Sequence, residues 1–198
     1  MGSRRLTVLS ANIKPSRLLG AVLQVALLTL PQQTVLAQVE SKGYGATRVD
    51  FAISGGSGFV IKPNRSEPAG LKPWVWYAPT FVKARPEMGR YPNESLAWLF
   101  IRLLEKGVWI AGVDVGESWG NSRGRKAYTH FYKYVRKNYA LSARPCLLAQ
   151  SRGGMMLYNW AVEHAHNLGC IAGIYPVTNL ESWPNLGGER ILHYRPME

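Results

Sequence analysis

Hydrophobic positions change their period several times along the chain, and each change marks a new element. From Thr47 to Ile53 they alternate, with Val49, Phe51 and Ile53 on one side, which predicts a half-buried strand. Gly55-Gly56-Ser57-Gly58 turns the chain into a second strand, Phe59 to Ile61, so the domain opens on a hairpin. Pro73-Trp74-Val75-Trp76-Tyr77-Ala78-Pro79 is a continuous apolar run between prolines, the pattern of a strand covered on both faces. An irregular loop, Thr80 to Tyr91, follows it. Leu96, Leu99, Phe100, Leu103 and Leu104 then recur at helical spacing, with Asn93 as the expected N-cap and Gly107 as the stop. Val108 to Val115 reads as the next buried strand and runs into the loop Asp114 to Gly120. Arg123 to Tyr139 is an amphipathic helix that turns Tyr128, Phe131, Tyr132 and Val135 inward. Pro145 to Ala149, Met155 to Ala165 and Cys170 to Tyr175 predict strand, helix and strand again. Such alternation implies right-handed crossovers and a mainly parallel sheet, an α/β domain whose loops at the C-terminal strand ends face ligands.

One junction carries chemistry. Ala149-Gln150-Ser151-Arg152-Gly153-Gly154 joins an apolar strand directly to a helix, with small residues at −2 and +2 from the serine. A nucleophile elbow needs this layout, because the turn that lifts the hydroxyl clear of the sheet leaves no room for larger flanks. It also sets the N–H of Arg152 at the start of a helix, where a developing oxyanion is stabilised. The plainer alternative is a loop in which Ser151 only caps the helix. The cluster Gly55 to Gly58 lacks the Lys-Ser/Thr ending and the following helix of a phosphate loop, so it reads as a turn.

Composition adds an address and a surface charge. The chain has 198 residues, 46% hydrophobic and 18% charged, which fits one globular core. Arg4, Arg5, Lys14 and Arg17 precede an apolar stretch, Leu18 to Leu30, and Val35-Leu36-Ala37 ends in small residues. This reads as a secretory signal peptide over 1–37 cut after Ala37, with a polar flexible segment over 38–46, and implies a secreted or periplasmic protein with no membrane association after cleavage; an uncleaved signal anchor is the alternative, although the apolar run is shorter than the ~20 residues that span a bilayer. Without that leader, Lys+Arg falls from 24 to 20 against 12 acidic residues, leaving about +8. Anionic partners are favoured, while the scattered charges match no nucleic-acid-binding motif. Arg123 to Lys137 reads as the solvated face of its helix. Cys146 and Cys170 fall near the starts of adjacent strands; an exported protein could join them in a disulfide, but two buried free thiols are the expectation, since neighbouring strands seldom suit a bridge. Neither belongs to a metal-ligand spacing, and no metal or cofactor is expected.

The order of elements, hairpin first and then β-α-β-α-β-elbow-α-β, resembles the N-terminal two-thirds of the α/β-hydrolase superfamily. Ser151-Arg152-Gly153-Gly154 with Tyr158-Asn159-Trp160-Ala161, Pro176-Val177 and Ser182-Trp183-Pro184 resembles a group of secreted bacterial members described as prolyl-oligopeptidase-like or esterase-like, over residues 47–188. The resemblance implies a three-layer sandwich with Ser151 as nucleophile. It implies an oxyanion hole from the N–H of Arg152 and an N–H of the loop Ala78-Pro79-Thr80-Phe81. Pro79 has none, so Thr80 is the candidate, with Phe81 behind it. In the family the acid follows a seventh strand and the base histidine an eighth. Both would lie past Glu198, so the resemblance implies a C-terminally truncated domain over 47–198, impaired as a catalyst and open to self-association through its exposed sheet edge.

Of the four histidines, His130, His164, His166 and His193, none stands at the family's base position. Glu181 is a candidate acid, Asn179 stands where an aspartate is usual, and Asp114 and Glu117 are expected to organise loops. Trp119 and Trp183 are candidate substrate contacts on exposed loops, with simple packing as the equal alternative. Two functions follow as expectations. One is a secreted serine hydrolase of carboxylic esters, carbohydrate esters among them, working through an acyl-Ser151 intermediate. The other is a non-catalytic secreted protein of the same fold that binds an anionic glycan.

Overall fold

The computed structural model describes residues 38–65, 72–86, 88–179 and 183. The expected leader over 1–37, Glu181 and His193 lie outside them. Strands are β1 (Gln38–Gly43), β2 (Ala46–Ile53), β3 (Gly56–Lys62), β4 (Trp74–Ala78), β5 (Trp109–Asp114), β6 (Cys146–Gln150) and β7 (Cys170–Ile174). Helices are α1 (Ala97–Glu105), α2 (Ser122–Tyr139) and α3 (Gly153–Glu163). The seven described strands form one sheet in the order β1-β2-β3-β5-β4-β6-β7. β1, β2, β3 and β5 pair antiparallel in succession, and β5, β4, β6 and β7 run parallel. The swap of β4 and β5 places the C-terminal end of β4 between those of β5 and β6. Three loops therefore converge on one patch.

Both faces of the sheet are covered, as the unbroken apolar run of β4 requires. Trp74, Trp76 and Ala78 pack with Phe131, Tyr132, Val135, Met156 and Trp160 of α2 and α3. Val75 and Tyr77 pack on the opposite side with Phe59, Ile110, Leu148 and the α1 residues Phe100 and Leu104. Trp76 sits at the centre of an aromatic cluster, with ring centroids 4.6 Å from Trp160, 5.2 Å from Phe131 and 5.4 Å from Tyr128. The tilted arrangements set the electropositive edge of one ring toward the face of another. The α2 stripe expected to face inward does so, with Tyr128, Phe131, Tyr132 and Val135 all buried.

Four details differ from the sequence expectations. The segment over 38–46, expected as a tether, is β1 and a tight turn: Gln38 pairs with Phe51 and Gly43 with Ala46, so cross-strand hydrogen bonds order a stretch that lacks an apolar pattern. Its residues are exposed, which is why periodicity did not reveal it. Cys146 and Cys170 are joined in a disulfide and are not free. They stand directly opposite each other in the β6–β7 register with Cα atoms 4.4 Å apart, at the near limit of the bridging range, and Cys170 is exposed. Asn93 precedes a 3-10 turn, Glu94–Leu96, and its side chain accepts from the Ser95 hydroxyl at 2.5 Å and caps no helix N–H. Finally, α3 begins at Gly153, two residues before the apolar pattern does. Among the described residues no helix is long and apolar enough to cross a membrane.

Candidate active site

β6 delivers the chain to Ser151, whose φ of 49° lies in the left-handed region, and α3 starts two residues later. For a residue with a Cβ this conformation is uncommon and has to be held by its surroundings. Three backbone hydrogen bonds hold it. The Ser151 N–H donates to Ile174 O at 3.1 Å, and the Ser151 carbonyl accepts from Gly154 N at 3.0 Å and Val177 N at 2.7 Å. The glycines after it are required by contact. A Cβ on Gly153 would lie 2.1 Å from Ala78 O and 2.5 Å from Pro79 N, and one on Gly154 would lie 2.4 Å from Val177 O. Each of those atoms is backbone, so no rotamer change makes room. The end of β4 is thereby pressed against the start of α3.

That contact brings the loop after β4 beside the elbow. Thr80 is 2% exposed, and its hydroxyl donates to Tyr77 O at 3.2 Å. Neither the Thr80 N–H nor the Arg152 N–H has a hydrogen-bond partner among the described residues. Phe81 differs: its N–H donates to Tyr91 O at 3.0 Å, and the return bond from Tyr91 N to Phe81 O closes the loop. These are the two amides expected from the sequence to hold an oxyanion.

Beside the elbow is a cavity of about 320 Å³, lined by Phe81, Arg85, Met88, Glu117, Trp119, Arg152 and Trp183. The Arg152 guanidinium pairs with the Glu117 carboxylate and lies 5.0 Å from the Trp183 ring centroid. Trp119 and Trp183 meet edge to face with centroids 6.3 Å apart. Trp119 was expected on an exposed loop, yet it is only 7% exposed, because the indole packs into the wall instead of projecting to solvent. On the far wall Arg85 lies 4.2 Å from the Phe81 ring centroid and donates to Asp114 at 3.1 Å. Asp114 also accepts from Val82 N and Gly116 N, so it ties two loops together as expected. Burial raises the Glu117 carboxyl above its usual range, and Arg152 beside it opposes that shift.

The described histidines are elsewhere. His130 is exposed on α2, while His164 and His166 follow the C-terminal end of α3, a helix length from Ser151. His164 is occupied with Trp160, stacking on its ring at 4.4 Å and meeting its carbonyl at 2.9 Å. Sequence reasoning missed Gln150. This buried side chain accepts from the Tyr77 hydroxyl at 2.5 Å and donates to Tyr175 Oη, bracing the residue just before the nucleophile. Burial drives the Tyr77 hydroxyl well above its ordinary range, which keeps it protonated as the donor. A polar residue closing an otherwise apolar strand was the available signal. Among the described residues no cluster of His, Cys, Asp and Glu could hold a metal ion.

No protein-family model matches the chain, and no curated protein matches it in sequence. Its fold does match solved structures. An S-formylglutathione hydrolase from Agrobacterium tumefaciens superposes with a TM-score of 0.55 at 14% identity, covering 79% of this chain and 71% of that one. A cold-adapted esterase from an Arctic intertidal metagenomic library gives 0.53 at 9% identity, covering 70% and 64%. A putative dipeptidyl aminopeptidase IV from Bacteroides ovatus ATCC 8483 gives 0.51 at 15% identity, covering 80% of this chain and 24% of that one. The described residues thus form part of an α/β-hydrolase fold. The chain spans under two-thirds of the esterase's length and about a quarter of the peptidase's.

Proposed function

We propose that this chain is an exported serine hydrolase acting on carboxylic esters, carbohydrate esters among them, with Ser151 as nucleophile. The observation that carries the reading is the left-handed Ser151 between β6 and α3, with Gly153 pressed on the Ala78 carbonyl and two unbonded amides alongside. In this scheme Ser151 Oγ attacks the ester carbonyl carbon and gives up its proton to a base, while the Arg152 and Thr80 N–H groups hold the oxyanion. The alcohol leaves with a proton, and water then cleaves the acyl-serine to free acid. Trp119 and Trp183 give the cavity flat apolar walls of the kind that suit the C–H face of a sugar ring. A histidine base would come from outside the described residues, since their three histidines do not adjoin Ser151.

That last point favours a second reading, the non-catalytic glycan binder. A fluorophosphonate probe separates the two. Under the proposal it labels the wild-type chain and spares Ser151→Ala; equal labelling of both removes Ser151 from the chemistry. Glycan binding with neither labelling nor ester turnover favours the binder.

A further inference from the structure

The solvent side of α2 is more basic than the helix itself can use. Arg123, Lys126, His130, Lys133, Arg136 and Lys137 are all exposed there, and α2 contains no acidic residue. Arg136 and Lys137 complement the helix dipole at the C-terminal end, but Arg123 and Lys126 sit at the N-terminal end, where positive charge is unfavourable. Lys126, Lys133 and Lys137, with His130 between the first two, recur along one side of the helix as a stripe about 16 Å long in which Lys133 and Lys137, one turn apart, repel. Arg125 is accounted for, since its guanidinium donates to Glu163 and to Gly120 O, both at 2.7 Å. The three lysines of the stripe make no ion pair among the described residues. Along its first turns, α2 and Glu163 of α3 enclose a groove of about 240 Å³. It shares no residue with the cavity beside Ser151.

We infer that this face of α2 is a docking surface for an acidic polysaccharide, a linear chain with a carboxylate on each sugar. A row of lysines one or two turns apart suits a partner whose anions also repeat along a line, and binding relieves the repulsion within the row. The face carries no exposed aromatic or large apolar side chain, since the α2 aromatics turn toward the core. It therefore offers no stacking platform for unpaired bases and no apolar wedge for a bilayer. The inference does not depend on Ser151 being a nucleophile.

The test is retention of the full chain on immobilised polygalacturonate across a salt series. Two triple variants are compared, Lys126→Gln/Lys133→Gln/Lys137→Gln on the stripe and Lys42→Gln/Lys62→Gln/Lys106→Gln at exposed lysines elsewhere. The stripe variant is expected to lose at least about tenfold in affinity, with a log–log salt slope smaller by roughly one per charge removed. The second variant, with the same net charge, is expected to stay near wild type. Equal loss in both variants, or loss in neither, overturns the inference. So does tighter wild-type binding, at the same salt, to phosphatidylserine vesicles or to short duplex DNA.

Discussion

Gly153→Ala is the sharpest structural perturbation of the elbow. The added methyl would lie 2.1 Å from Ala78 O, 2.3 Å from Ala78 C and 2.5 Å from Pro79 N, against a normal contact well above 3 Å. All three are main-chain atoms of β4 and its exit, so the strand end or the start of α3 must move by about 1 Å. Overpacking of this kind costs about 1–3 kcal/mol and more where nothing can yield. With about 2–4 °C lost per kcal/mol in a domain of this size, melting should fall by roughly 2–12 °C. The same shift parts the Thr80 and Arg152 amides, so fluorophosphonate labelling of Ser151 should slow far more than the lost stability explains. Thermal unfolding and labelling rate are read on one preparation, well below the melting point. An alanine variant with wild-type melting and wild-type labelling would refute the contact argument.

Other outcomes follow from particular contacts. Reducing the Cys146–Cys170 bridge opens a loop spanning 24 residues of sequence, and the chain-entropy relation puts the loss at about 3.5 kcal/mol, measurable as a shift in urea midpoint. Because burial raises the folded-state pKa of Glu117 above its ordinary 4.5, the stability it contributes is complete below that value and declines as pH rises through the raised one. Glu117→Gln should abolish that decline, and a stability–pH profile identical to wild type would count against the buried carboxyl. Arg152→Ala keeps the backbone N–H but removes the guanidinium from Glu117 and Trp183. Small fluorophosphonates should label it within a few-fold of wild type, while any ester substrate filling the cavity should show a raised KM.

The legible parts of the fold were those where burial imposes a period. β4 and α2 announced themselves because each must bury a defined set of side chains, and the elbow because strand, small-x-Ser-x-Gly and helix abut without a spacer. β1 was not legible: its exposed residues are ordered by backbone pairing with β2, which leaves no hydrophobic trace. The disulfide was missed because strand adjacency was foreseen but register was not. Of the candidate site, Ser151 and Arg152 followed from the strand–turn–helix rule, whereas Thr80 followed from the family resemblance together with the missing N–H of Pro79. Gln150, Arg85 and the pairing of Glu117 with Arg152 depend on which loops the sheet order brings together, and the β4–β5 swap that does so is invisible to local pattern.

The central claim is that Ser151 and two backbone amides form one reactive constellation. A crystal structure of the chain after reaction with a small phosphonate tests it directly. Phosphorus should be bonded to Ser151 Oγ, with a phosphonyl oxygen within hydrogen-bond reach of both the Arg152 and Thr80 nitrogens. An adduct on another residue, or one whose oxygen faces solvent away from both amides, would contradict it.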